Sequence, residues 1–149
     1  MEIDAFLADT AETVEGKIYA LGIGWNTIFT GGFPAVHPRV AIGVTIHVPY
    51  TETNEPHRLE VRLEDADGGR IPLSMPQPGQ LGQSDEQVMV LGAEFNVGRP
   101  PQLPDGDEQV VCVALTINSL LIQRPEMYNW VLEIDGAELK RLPMRVQQL

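Results

Sequence analysis

Arg58-Leu59-Glu60-Val61-Arg62-Leu63-Glu64 alternates charged and aliphatic residues without a break. Successive side chains of a strand point to opposite faces, so Leu59, Val61 and Leu63 share one side and the charges share the other. The heptapeptide therefore reads as a half-buried strand of a two-faced sheet. Downstream, Asp65-Ala66-Asp67-Gly68-Gly69 ends it in a hairpin turn, because glycine accepts the positive φ that such turns require. Arg70–Met75 returns as a short strand.

The same period recurs along the chain. Upstream, Arg39–Val48 is the clearest buried strand: Val40, Ile42, Val44, Ile46 and Val48 line one face, with small Ala41, Gly43 and Thr45 on the other. Glu2–Ala8 forms a first strand. Thr10–Gly16 is polar and closes in a Glu15-Gly16 turn. Lys17–Trp25 with Thr27–Phe29 reads as one strand bulged at Gly22 or Gly24. Past the hairpin, residues 76–86 carry Gln, Gly and Pro and read as a loop. Gln87–Val97 is the next strand, followed by the proline-bearing turns of Gly98–Glu108. Gln109–Asn118 is strongly β-branched. Tyr128–Asp135 puts Tyr128, Trp130, Leu132 and Ile134 on one face, and after an Asp135-Gly136 turn Glu138–Val146 turns Leu142, Met144 and Val146 inward. No stretch of helical period competes. The expectation is one domain over residues 1–149: an all-β, antiparallel, immunoglobulin-like β-sandwich of about eight or nine strands.

Composition narrows the function classes. A hydrophobic fraction of 43% is ordinary for a globular chain, and no apolar run reaches the ~20 residues of a membrane helix. The net charge is -11, from 21 acids against 10 bases. Such a field repels phosphate backbones and anionic lipid, so neither nucleic acid nor membrane is expected as a partner. An acidic start and a single cysteine, Cys112, point to a cytoplasmic protein without internal disulfides.

Few residues suggest chemistry. If strands reverse one after another, the turns at 65–69, 98–108 and 135–136 fall at the same end. Asp65, Asp67, Asp105 and Asp107, with Glu108 and Asp135, then form a candidate site for calcium, which takes six to eight oxygens from such loops. His47 and His57 flank the polar loop Pro49–Pro56, where Glu52 or Glu55 would join them in a zinc set. Without a His-x-His or His-x-x-x-His spacing, these two and His37 read more simply as unrelated surface histidines. Cys112 among Val110, Val111, Val113 and Ala114 reads as a core thiol. Ser74, Ser84 and Ser119 lie in no Gly-x-Ser-x-Gly elbow. Gly22-Ile23-Gly24-Trp25 lacks the third glycine and the helix of a dinucleotide site. Trp25, Phe33 and Tyr50 read as core or as an exposed partner-binding patch. Pro125-Glu126-Met127-Tyr128 matches the entry to a late strand at which a tyrosine hydroxyl ties the corner to upstream backbone.

Three stretches together carry a resemblance: Asp4–Asp9 through Gly16–Trp25, then Gly98-Arg99-Pro100-Pro101-Gln102-Leu103-Pro104, and Tyr128 through Asp135-Gly136 to Leu142-Pro143. The chain resembles a family of small actinobacterial proteins known only as a domain of unknown function. The likeness spans nearly the whole chain, rests on turns, strand glycines and the tryptophan, and implies a one-domain bacterial protein with no catalytic residues to carry over.

Without a nucleophile or an acid/base set, an enzyme is not expected, nor a cofactor. The chain reads as a non-enzymatic binding or assembly module that docks a protein partner or a second copy of itself, through β-edges and loops. The alternative is a sandwich that binds calcium or a small ligand on its acidic turns.

Overall fold

A computed structural model describes residues 1–74 and 88–149 of the chain. The loop expected over 76–86, with Ser84, lies outside the described residues. Eleven strands are present among those described: β1 (Glu2–Ala8), β2 (Thr10–Val14), β3 (Lys17–Leu21), β4 (Thr27–Thr30), β5 (Ala35–Val48), β6 (Pro56–Glu64), β7 (Arg70–Ile71), β8 (Leu91–Asn96), β9 (Gln109–Ile122), β10 (Glu126–Ile134) and β11 (Ala137–Gln148), with one short 3-10 turn at Tyr50–Glu52. No helix among them is long and apolar enough to cross a membrane.

A three-stranded sheet runs β1-β5-β9, wholly antiparallel. A larger mixed sheet runs β4-β11-β10-β6, with β7 and β8 both on the far side of β6; β4 lies parallel to β11. The inner faces share one core. Val40, Ile42, Val44, Ile46 and Val48 of β5 meet Leu59, Val61 and Leu63 of β6 and Trp130 and Leu132 of β10, all fully buried. Burying each such side chain contributes about 1.5–3 kcal/mol, which is why the inward large apolar residues of β5, β6 and β10 dictate the fold.

The strand count exceeds the expected eight or nine for local reasons. Thr10–Val14 is a strand although only Ala11 is buried in it, so no apolar period announces it. It pairs with β3 across the Glu15-Gly16 turn, both residues at positive φ. The bulged strand expected over 17–29 is instead two strands. Gly22 and Gly24 adopt φ of +72° and +102°, ending β3 and sending the chain across to β11.

A second difference reorders the loops. β7 and β8 both run antiparallel to β6, end to end along the same edge, with β7 opposite Leu63–Glu64 and β8 opposite Pro56–Val61. They form one interrupted stroke and not two reversals. The 98–108 loop therefore lies at the end of the molecule that carries Tyr50, where β5 finishes and β6 and β9 begin. The Asp135-Gly136 turn joins it there, because Ile134 pairs with Leu59. The 65–69 turn sits at the opposite end.

Candidate functional site

Strand β9 has β5 on one side and no strand on the other among the described residues. It is 14 residues long, Gln109-Val-Val-Cys-Val-Ala-Leu-Thr-Ile-Asn-Ser-Leu-Leu-Ile122, with no charged residue and no proline. Other outer strands are blunted: β1 carries Glu2 and Asp4, β3 carries Lys17, β8 carries Glu94, and β4 has only four residues. Charge, proline and shortness are among the protections of a sheet edge, and β9 has none of them; its one irregularity is Ser119, at φ +54°, which has no partner in the ladder to β5.

The outer face beside this edge is partly covered. Hairpin β2–β3 packs over it through Ala8, Ala11 and Ala41, with Ile18, Ala20 and Ala114 against them. Between hairpin and sheet an open groove of about 460 Å³ is lined by Phe6, Lys17, Ile18, Ile23, Thr45 and Cys112, among others. Cys112 was expected in the core. It is half-buried and lines this groove, because the period of β9 turns Val111, Val113 and Leu115 inward instead. Val110 is 54% exposed beside it.

The Tyr50 end of the molecule concentrates polar contacts. Arg99 lies over the Tyr50 ring at 4.1 Å from its centroid, and donates to the Tyr50 carbonyl and to Thr53 Oγ1. His47 sits between Asp4 Oδ2 (3.1 Å) and Glu108 Oε1 (3.2 Å); these bonds hold its pKa above the ordinary value. His57 is buried. Its Nδ1 lies against Asp135 Oδ2 and its Nε2 against the Glu52 carbonyl oxygen, each at 2.7 Å. Burial opposes the charge on His57, yet the Asp135 carboxylate and the Glu52 carbonyl outweigh it and the pKa is raised. Both nitrogens of each ring are already engaged, and the cluster of possible metal ligands found among the described residues contains neither His47 nor His57. His37, at the other end beside Trp25, is pushed down, mainly by burial.

The four aspartates of the calcium set are not brought together. Asp105 and Asp107 lie in the 98–108 loop at the Tyr50 end, where they line a small cleft with Tyr50 and Arg99, whereas Asp65 and Asp67 lie at the opposite end. The cause is the uninterrupted direction of β7 and β8. Asp65 and Asp67 instead meet Glu126, with ligand oxygens within 4.8 Å of one another. Asp65 Oδ1 already accepts from the Asp67 and Gly69 amides, while Glu126 accepts from the Ala66 amide and pairs with Arg124.

The aromatic patch also divides. Trp25 and Phe33 precede β5 at the Asp65 end and pack half-buried against the core, while Tyr50 stacks with Arg99 at the other end. At the start of β10, Tyr128 Oη donates to the Arg124 carbonyl at 2.7 Å, tying the corner in the way its sequence context predicts. Sequence reasoning missed Arg99, whose partner Tyr50 is 49 residues away, and the His57–Asp135 pair, where Asp135 read as a turn former and a member of the calcium set.

The class is thus an all-β protein whose two larger sheets share the main core, with the two-stranded β2–β3 hairpin packed outside them and one edge of β9 unpaired among the described residues. The chain belongs to the family of unknown function DUF6941, whose model matches residues 3–147. No curated protein matches it.

Proposed function

We propose that this protein is a non-enzymatic assembly module, an immunoglobulin-like sandwich that associates with a second copy of itself through the open edge of β9. Strand order supports the architectural half of the reading. β1-β5-β9 corresponds to strands A-B-E of an immunoglobulin sandwich and β11-β10-β6 to G-F-C, with the tyrosine corner where F begins. In constant-type sandwiches a D strand lies beside E. Here the segment before β9 is the 98–108 loop, whose Pro100, Pro101 and Pro104 have no N–H for a ladder, and the place beside β9 carries no strand among the described residues.

The single observation that carries the functional half is the uncharged length of that edge. Two copies of β9 paired antiparallel about a two-fold axis set no like charges opposite one another in any register, because β9 has none to oppose. Light scattering during size exclusion over a wide range of concentrations tests this. A concentration-dependent dimer that Thr116→Lys converts to monomer is expected, since Thr116 is exposed mid-strand and an edge lysine blocks pairing. A strict monomer, or a dimer indifferent to Thr116→Lys, overturns it.

A second reading, calcium binding, is favoured by one observation: the proximity of Asp65, Asp67 and Glu126. These three supply fewer oxygens than calcium's usual six to eight, so loop carbonyls would have to complete the shell. Thermal melting with saturating calcium decides it, because a ligand bound only by the native state must raise the melting temperature.

A further inference from the structure

We propose that His57 is a proton-operated latch at the Tyr50 end of the domain: charged, it ties the Tyr50–Glu52 turn and the Asp135-Gly136 turn to the start of β6, and on losing its proton it releases one of them. The inference rests on donor and acceptor counts. A carboxylate oxygen and a backbone carbonyl can only accept, so 2.7 Å contacts to Asp135 Oδ2 and to the Glu52 oxygen each require a ring N–H. Only the imidazolium has two. The neutral ring has one N–H and one lone pair, and that lone pair must then face an acceptor.

The groups around His57 act in the same direction. Asp135 approaches from the β10–β11 turn, and its other oxygen accepts from the Arg58 amide at 2.9 Å, so the carboxylate is held in place. Glu55 adds negative charge from the chain just before β6. The Phe95 ring of β8 lies 5.3 Å away, centroid to centroid. Glu52 presents its carbonyl to His57, while its carboxylate faces the Met1 amine at 3.5 Å. The cation Arg99 is engaged with Tyr50 and Thr53 on the same turn.

On deprotonation the bond to the uncharged acceptor is the weaker one. Nδ1–H stays on Asp135, the Nε2 lone pair faces the Glu52 carbonyl, and the Tyr50–Glu52 turn loses its tie to β6, keeping those to Arg99 and Met1. The stabilisation is therefore complete below the ordinary histidine value of 6.5 and is lost as pH rises through the raised native value.

Imidazole nitrogen chemical shifts recorded against pH test this on the unmodified protein, residue by residue, so that His47 does not confuse the reading. Both nitrogens of His57 are expected to be protonated at pH 6.5. The ring should titrate above that value, and the amides of Tyr50–Thr53 should lose exchange protection across the same step. A His57 that is half-titrated at or below 6.5, or that shows one bare nitrogen there, overturns the latch. Asp135→Asn supplies the second arm. Its side-chain oxygen still accepts from the Arg58 amide, but its NH2 group faces Nδ1 and requires a lone pair there. His57 in that variant should stay neutral, protonated at Nε2, and the step at Tyr50–Thr53 should vanish. An unchanged titration in the variant equally removes the proposal.

Discussion

Gly43 occupies the middle of β5, directly opposite Phe6 of β1, and a Cβ there would overlap the Phe6 ring. An aromatic side chain lying over a cross-strand glycine covers backbone that glycine leaves bare. Gly43→Val forces the ring off the strand and should cost about 1–3 kcal/mol in urea unfolding. Combined with Phe6→Ala the two losses should fall short of additive, since they remove one contact. Tyr128→Phe strands the Arg124 carbonyl and should cost about 1–2 kcal/mol by the same measurement. The tyrosine was legible because Pro125 and the apolar run after it mark a strand entry. Gly43 was visible as a small residue on the outer face of a strand, but its partner was not, because nothing local says which strand lies alongside. The His57 pair was hidden for that reason too: its halves are 78 residues apart.

Among elements, the outward charges of the deciding heptapeptide become a cross-strand network. Arg62 of β6 holds Glu64 at 2.7 Å and Glu133 of β10 at 2.6 Å, and Glu64 reaches Arg141 of β11 at 3.3 Å. The Arg62 and Glu64 side chains are 14% and 12% exposed, so removing the arginine leaves two poorly solvated carboxylates. Arg62→Met should destabilise by about 1–3 kcal/mol near neutral pH. The bond from Arg62 is the main reason the Glu64 pKa lies below its ordinary 4.5. A depressed carboxylate contributes stability that is present above its unfolded value and lost as pH falls through the native one. Unfolding free energies of the native chain should thus drop below pH 4.5, and the slope should be shallower in Arg62→Met. A slope of equal steepness would show that Glu64 is not the group responsible. Alternation made β6 readable outright, and β5 and β10 were readable from their large apolar residues, although β5 is buried on both faces over Val40–Val44 and β10 over Trp130–Leu132. It is silent on direction, and β7 continuing into β8 along one edge left Asp105 and Asp107 far from Asp65. β2 escaped because hairpin β2–β3 buries little besides Ala11.

For the molecule as a whole, the net charge of -11 and the uncharged edge of β9 make opposing contributions to assembly. Two copies approaching each other repel over distances comparable with the Debye length, ~10 Å at 0.1 M salt and shorter above it. Most contacts between charged proteins weaken as salt rises, because attraction between opposite charges is screened. Pairing through β9 has no such attraction to lose, only repulsion between the rest of each copy. Added sodium chloride should therefore strengthen the proposed dimer. Sedimentation equilibrium between about 0.02 and 0.5 M salt measures this directly, and the dissociation constant is expected to fall several-fold as the Debye length contracts roughly fivefold. A constant that rises with salt would mean that opposite charges hold the copies together. The contact would then lie away from β9, where Arg58, Arg124 and Arg141 stand exposed among carboxylates.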